Sequence, residues 1–199
     1  GNPTVNFRGQ KRTNATHRSV VDPEARLARK GDGQPALLSH SVHVLMDTSA
    51  GLCLDVAVDE ANGRAEREQA VAMVQRLKRR HPICPASLAA DKGYAAGPFL
   101  AELEQQHITP LVPMPDVPIK GAGSEAAARR RAKQRMKTAA YRVGQRVRKR
   151  VEEIIGWCKA IGGLRRTRFV GRWKIALQAM TTGAAYNLLR LARLRPLPT

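Results

Sequence analysis

The stretch HSVHVLMDTSAGLCLDVAV, residues 40–58, decides the fold. Residues 40–48 alternate loosely between apolar and polar positions, which predicts a strand. Thr48 to Gly51 has the composition of a turn, and residues 52–58 alternate again. Two alternating runs joined by a short turn predict a β-hairpin.

Helices and strands alternate after this hairpin. An amphipathic pattern over residues 64–80 predicts a helix, and the following His81-Pro82 ends it. A short apolar run at 87–90 predicts a buried strand that leads into Asp91. A short helix at 98–106 and a strand at 108–112 follow. This order indicates an α/β or α+β layered domain.

The last part of the chain is predicted to be helical, with segments at 125–137, 139–159 and 173–193. Residues 1–36 lack periodicity and are expected to be irregular. Apolar residues at helical spacing predict the buried face of each of the last two helices. These faces are Val143, Val147, Val151, Ile154, Ile155 and Cys158 in the first, and Ile175, Leu177, Met180, Ala184, Leu188 and Leu191 in the second.

The charge of the 199-residue chain is concentrated near its end. The formal net charge is +19, and residues 120–199 carry 21 basic and 3 acidic side chains, a net of +18. Such a surface favours nucleic acid as the partner, because bound phosphates release condensed counterions. A solvated basic helix or a polybasic segment on a membrane surface is the alternative interpretation.

Cysteine content and hydropathy exclude several classes of protein. Three scattered cysteines are too few for a disulfide scaffold, and no Cys/His cluster predicts a zinc site. No segment is apolar enough to predict a signal peptide or a membrane span. We therefore expect a cytoplasmic protein that is not bound to a membrane.

Two acids occupy unusual positions. Asp91 follows a predicted buried strand, where α/β sheets place ligands, although a turn or N-cap role is the commoner use of aspartate there. Glu152 shares a predicted helix stripe with Gln145, Arg148 and Lys159. Either Arg148 and Glu152 form an ordinary ion pair, or the carboxylate holds a divalent metal while the cations hold phosphates.

The spacing Gln145-x2-Arg148-x3-Glu152-x6-Lys159 resembles the signature helix of bacterial insertion-sequence transposases of the DDE type. Its context, RKRVEEIIGWCK at 148–159, is similar to the same helix. The sequence DKGY at 91–94 resembles the segment around the second aspartate of that family. Segments 14–17, 22–27, 61–67 and 185–189 also resemble the family, so the resemblance covers nearly the whole chain.

The resemblance implies an RNase H-like layered sheet with helices, followed by basic C-terminal helices. It implies that Asp91 and Glu152 are catalytic and bind Mg²⁺ or Mn²⁺ in the intact enzyme. It also implies a DNA-binding group, with transposon ends and target DNA as partners. That group comprises Gln145, Arg146, Arg148, Lys149, Arg150 and Lys159.

The sequence departs from the family pattern at two points. Gln145 stands where the family has tyrosine. The first aspartate and its strand are expected upstream of Gly1, so the chain alone is expected to be an inactive fragment with the first strand missing. Residues 1–39 are expected to form an irregular insertion segment and 40–199 the RNase H-like domain, with a basic linker or insertion near 114–138. His17 is a further candidate for the site.

Three functions remain open from the sequence. The first is a transposase fragment, by descent an enzyme of DNA cleavage and strand transfer that is nucleoid-associated and could be homo-oligomeric. The second is a nucleic-acid-binding protein without catalysis. The third is a relic that regulates transposition by binding transposon ends. A carboxylate within a strongly cationic segment favours the first, because a pure binder has no use for it.

Overall fold

The computed structural model of the protein describes residues 13–29, 31, 33–61, 65–81 and 83–194. Five strands, six α-helices and two short 3₁₀ turns are found in these ranges. The strands are β1 (Arg26–Ala28), β2 (Leu37–Met46), β3 (Cys53–Glu60), β4 (Ser87–Ala89) and β5 (Thr109–Leu111). The helices are α1 (Ala65–Arg80), α2 (Gly97–Gln105), α3 (Ser124–Arg135), α4 (Ala139–Arg148), α5 (Val151–Ala160) and α6 (Arg172–Leu194).

The predicted hairpin is confirmed. β2 and β3 pair antiparallel from His40↔Glu60 to Met46↔Cys53. Asp47 closes the turn, because its carboxylate accepts hydrogen bonds from the backbone of Ser49 and Ala50. Gly51 has φ +73°, a backbone conformation that side-chain-bearing residues rarely adopt. The alternation of apolar and polar residues in the two strands, together with the turn residues between them, therefore predicted the hairpin correctly.

The segment predicted to be irregular contains a strand. β1 pairs antiparallel with the first residues of β2, from Arg26↔Ser39 to Ala28↔Leu37. The Asn14 side chain helps to hold this segment, because it accepts from the backbone N–H of Leu27 and donates to its carbonyl. A strand of three residues is too short to show periodicity, which is why the sequence did not predict it. Residues 62–64, in one of the family-like segments, lie outside the described residues.

The strands form two sheets in the described part of the chain. One is three-stranded, in the order β1-β2-β3, and the other is the parallel pair β4-β5. The expected mixture of helices and strands is therefore present, but one continuous layered sheet is not seen among these residues. From His40 to Met46, β2 pairs only with β3, so its second edge lacks a described strand partner.

A common core joins the two sheets. Val74 of α1, Leu100 and Leu103 of α2 and Val112 after β5 are almost completely buried in one cluster. Leu45 of β2 and Leu88 of β4 pack against the same cluster. Ala128 and Ala132 of α3 also belong to it, so the segment expected near 114–138 contributes to the core.

The helix predicted over 139–159 is two helices. Between α4 and α5, Arg150 N–H bonds to the Val147 carbonyl and Glu152 N–H to the Lys149 carbonyl, which are three-residue steps. Such tight steps turn the chain by about 120° per residue instead of about 100°. The continuous polar stripe predicted from Gln145 to Lys159 was therefore wrong. Val143 is also 56% exposed rather than buried.

The buried face predicted for the last helix was wrong in most positions. α6 packs on β3 through Ile175, Ala179, Thr182, Gly183 and Tyr186. Gly183 permits the close approach, because a Cβ there would lie 3.2 Å from Val56 and 3.3 Å from the Cys53 sulfur. Of the predicted face, Ile175 is buried, whereas Leu177, Met180, Ala184, Leu188 and Leu191 are exposed.

The start of α6 is capped by residues from the beginning of the chain. The Asp22 carboxylate accepts from the Gly171 N–H (3.2 Å) and contacts His40 Nε2 (3.0 Å). The Glu24 carboxylate accepts from the Arg172 N–H (2.8 Å). These carboxylates satisfy N–H groups that have no partner within the helix and lie at its positive end. Among the described residues, no helix is both long and apolar enough to cross a membrane.

Candidate active site and nucleic-acid interface

Asp91 lies directly after β4, as predicted. Its Oδ1 accepts from the Gly93 N–H at 2.8 Å and so caps the 3₁₀ turn Lys92–Tyr94. The side chain is exposed. Asp91 therefore has the turn role that is common for aspartate, and its exposed side chain lies just beyond the carboxyl end of a parallel strand pair. Ligands of α/β proteins bind at such ends.

Gln145 links α4 to the ends of both parallel strands. Its Nε2 donates to the Ala90 carbonyl at 3.1 Å and to the Leu111 carbonyl at 2.6 Å. The preceding Gly144 is buried, and a Cβ there would lie 2.6 Å from Leu111 Cδ1. Absence of a side chain at 144 thus lets α4 approach the strands closely enough for the Gln145 amide to bond with them.

Arg148 lies beside this amide. Its Nε donates to Gln145 Oε1 at 3.2 Å. No ion pair between Arg148 and Glu152 is found in the described part of the chain. The ordinary i,i+4 pair that the sequence allowed is therefore not formed, because the tight joint between α4 and α5 changes the register between the two side chains. Gln145 and Arg148 are brought next to the strand that leads to Asp91.

Arg150 and Glu152 lie at the joint and just beyond it. Arg150 Nη1 donates to the Thr48 carbonyl (2.6 Å) and the Ser49 carbonyl (3.0 Å) in the hairpin turn. Glu152 is exposed in the first turn of α5. The start of α5 is thus attached to the hairpin, while α4 is attached to β4 and β5.

Most basic side chains of α3 have partners within the protein. Arg131 and Arg135 both bond to Glu104 of α2, at 2.5 Å and 2.6 Å. Burial raises the pKa of Glu104, but the hydrogen bonds from these two arginines outweigh it, and the pKa lies below its ordinary value. Lys133 pairs with Asp116, and Arg130 donates to the Gly121 carbonyl. These cations stabilise the fold of the helix on its neighbours.

The basic side chains of α4 and α5 are arranged differently. Arg146, Lys149 and Lys159 are exposed. None of the three has a side-chain hydrogen bond or ion pair among the described residues. Of the six predicted DNA contacts, Gln145, Arg148 and Arg150 therefore have hydrogen-bond partners within the protein, although Arg150 is exposed, whereas Arg146, Lys149 and Lys159 are available to an external partner.

The carboxylates do not form a complete metal site. Within the described ranges, no group of three His, Cys, Asp or Glu side chains could hold a metal ion. Hard cations such as Mg²⁺ need several oxygen ligands in near-octahedral geometry. Asp91 and Glu152 each carry a carboxylate, and neither belongs to such a group in the described part of the chain.

Comparison with known protein families shows the family to which the chain belongs. The profile described as Transposase DDE domain matches residues 19–188. The chain belongs to the transposase DDE domain family. The match includes Asp91, Gln145, Arg148, Glu152 and Lys159, and begins within the segment 1–39. No curated protein and no solved structure matches the chain.

Tyr141 is a residue of this transposase domain that sequence analysis overlooked. It is partly buried one helical turn before Gln145, and burial raises the pKa of its phenol. Residues four apart on a helix share a face, so the spacing could have identified it as a neighbour of the glutamine. His17, in contrast, is exposed, and its ring contacts the hydroxyl of the adjacent Thr16.

Proposed function

We propose that this transposase domain binds DNA through Arg146, Lys149 and Lys159 and that Asp91 and Glu152 belong to its phosphoryl-transfer site. The observation that carries the proposal is the double hydrogen bond from Gln145 to Ala90 and Leu111. It holds the helix with Arg148 at the strand ends where Asp91 begins. In this position a guanidinium can neutralise a phosphate beside the acid.

Gln145 is proposed to position Arg148 rather than to contact DNA. Its amide nitrogen is used by two backbone carbonyls and its oxygen by the Arg148 Nε. These bonds fix the guanidinium plane relative to the end of β4. Arg150 is similarly proposed to fix the start of α5, because it is bonded to carbonyls of the hairpin turn.

The metal requirement of the family is proposed to apply only when a third ligand joins the two acids. DDE transposases use divalent metal ions, and carboxylate oxygens suit Mg²⁺ or Mn²⁺. Because the described residues supply no third ligand, the 199-residue chain alone is proposed to bind these ions weakly and not to cut DNA. Because its proposed substrate is DNA, we expect the protein to be associated with the bacterial nucleoid in the cytoplasm.

The RNase H-like arrangement is proposed to be one sheet built from the two that are described, within the domain 40–199. Two observations support this arrangement. The two sheets share one hydrophobic core, and the second edge of β2 lacks a described strand partner. A strand between β2 and the parallel pair would join them. Residues 1–39 and 114–138 retain their proposed roles as insertions, although β1 and α3 pack on the domain.

Salt-dependent DNA binding tests the proposed interface. Replacing Arg146, Lys149 or Lys159 by alanine is expected to weaken binding of a labelled DNA duplex, and to reduce the slope of log K against log salt by about one per lost phosphate contact. Arg79→Ala and Lys120→Ala are matched controls, since both side chains are exposed elsewhere. Equal weakening by the controls would show that net charge, not this surface, binds DNA.

Plasmid nicking tests the proposal about activity. The chain with Mg²⁺ or Mn²⁺ is expected to leave a supercoiled plasmid intact. Nicking that survives both Asp91→Asn and Glu152→Gln would contradict the assignment of these acids, whereas nicking that both abolish would show that the chain alone is active. DNA binding without nicking also fits the third function left open by the sequence, a regulator that occupies transposon ends. The absence of a cluster of three metal-ligating side chains among the described residues favours that candidate.

A further inference from the structure

The helix α6 has two apolar faces, and the structure uses one of them. The face on β3 is formed by Ile175, Ala179 and Tyr186, which are at most 4% exposed. A second stripe lies on the other side of the helix and has no partner in the described part of the chain. It consists of Trp173, Leu177, Met180, Ala184, Leu188 and Leu191. A helix that is apolar on both sides is typical of a buried position.

The second stripe is narrow and continuous. At about 100° per residue, its six members fall within roughly 80° of each other and extend about 27 Å along the helix. Trp173 is 68% exposed and Leu188 69%. A stripe of this kind presents on the order of 500 Å² of apolar surface. That is more than half of the roughly 800 Å² per partner in a stable protein interface.

The stripe is nearly symmetric about Thr182. Trp173 and Leu191 each lie nine residues from this centre, and Met180 and Ala184 each lie two residues from it. An antiparallel second copy therefore brings Trp173 opposite Leu191, Leu177 opposite Leu188, and Met180 opposite the small Ala184. Such self-complementarity is the requirement for a two-fold interface, in which both copies use the same surface.

The central part of α6 carries no charge that would oppose this pairing. The helix contains no acid, and its residues from Ile175 to Leu189 carry no charge. Arg172 bonds to Glu24 and Asp59, and Arg190 bonds to the Ala50 carbonyl, so both are directed away from the stripe. Lys174 lies beside it, with its ammonium 6.0 Å from the Trp173 ring centre.

We propose that two copies of this chain associate through the exposed stripe of α6, packed antiparallel about a two-fold axis that crosses the stripe at the level of residue 182. This interface is independent of DNA and of Asp91 and Glu152. The Arg146, Lys149 and Lys159 side chains are not part of the stripe, since they lie on α4, on the joint after it and on α5.

Sedimentation equilibrium without DNA tests the association. The chain is expected to show twice its monomer mass at micromolar concentration. Leu177→Glu and Leu188→Glu are each expected to weaken the dimer at least tenfold. Leu189→Glu is the matched control, because Leu189 is 47% exposed but lies outside the stripe, and it is expected to leave the dimer unchanged. Circular dichroism checks that all three variants keep their helix content.

Disulfide trapping tests the antiparallel geometry. In a Cys84→Ser background, a mixture of Met180→Cys and Ala184→Cys chains is expected to form the mixed dimer in preference to either homodimer. Preferential 180–180 and 184–184 products would overturn the antiparallel arrangement. A monomer at all concentrations, a dimer insensitive to both glutamate variants, or a monomer that instead binds anionic lipid vesicles through the stripe would overturn the proposal itself.

Discussion

At the scale of single residues, the candidate site depends on the hydrogen bonds of one side-chain amide, that of Gln145. Gln145 makes three hydrogen bonds, two to backbone carbonyls and one to Arg148. The Leu111 residue that provides one of these carbonyls is buried. A buried carbonyl that loses its donor costs more free energy than an ordinary hydrogen bond contributes. The stability of the strand ends and the orientation of Arg148 are therefore coupled at this residue.

Gln145→Ala is expected to lower the free energy of unfolding by about 2 kcal/mol, because it leaves two carbonyls without their donor. Urea denaturation measures this change. Gln134→Ala on the exposed surface of α3 is the matched control and is expected to change stability by less than about 0.5 kcal/mol. If the two variants were equally stable, the bonds of Gln145 to the strand ends would not contribute to folding.

The sequence could identify these residues but not their contacts. The spacing of Gln145, Arg148, Glu152 and Lys159 predicted a shared surface, and the structure places Gln145 and Arg148 beside the strand of Asp91. The division of the cations into internal and exposed ones could not be predicted. It depends on carbonyls of the hairpin turn and on Glu104, which are distant in sequence from the basic helices.

At the scale of secondary structure, short or symmetric patterns limited what the sequence could predict. The hairpin was predicted because each strand alternates over several residues. β1 was missed because three residues show no period. The buried face of α6 was misassigned because the helix has two apolar faces, and composition alone does not say which of them meets β3.

The approach of α4 to β5 gives a prediction at this scale. Gly144→Ala is expected to destabilise the protein by about 1–3 kcal/mol, because the added Cβ would meet Leu111 Cδ1 at 2.6 Å. Gly156→Ala in α5 is the control, since nothing lies within 4 Å of its Cβ position. It is expected to stabilise by up to about 1 kcal/mol through helix propensity. Thermal denaturation distinguishes the two, and a similar shift in both would contradict close packing at Gly144.

The capping of α6 gives a second prediction at the scale of secondary structure. Asp22→Ala and Glu24→Ala are each expected to cost about 1 kcal/mol, the usual loss for a helix N-cap. Amide hydrogen exchange is expected to become faster, and to do so first in the opening turn of α6. Val20→Ala, at an exposed position in the same segment, is the control. Unchanged exchange at the start of α6 in both acid variants would mean that these carboxylates do not cap the helix.

At the scale of the whole molecule, four carboxylates link stability to pH. Asp22, Asp47, Asp59 and Glu104 all have a pKa below the ordinary value, because hydrogen bonds outweigh the effect of burial. Burial also lowers the pKa of His43, whose Nε2 is buried without a hydrogen-bond partner. In every case the folded state binds fewer protons than the unfolded state, so stability falls as pH falls.

The free energy of unfolding is therefore expected to be highest at about pH 7–8, because at higher pH burial of Cys53, which raises its pKa to about 12, opposes deprotonation of the thiol in the folded state. It should decline first near pH 6.5 as His43 resists protonation, and again below about pH 4 as the carboxylates are forced to bind protons. Urea midpoints measured across this range check the curve. His43→Gln should remove the first decline and keep the second. A curve without a decline near pH 6.5 in the original protein would contradict the burial of His43.

The position of α6 at the end of the chain has a consequence for synthesis on the ribosome. β3 is complete roughly 110 residues before α6 begins. At about 5–20 residues per second, the apolar side of the hairpin waits on the order of ten seconds for the helix that covers it. During this interval Asp22 and Glu24 have already emerged without the N–H groups that they later cap. The nascent hairpin is thus the stage at which a chaperone would have most surface to bind, and premature termination before residue 172 would release it uncovered.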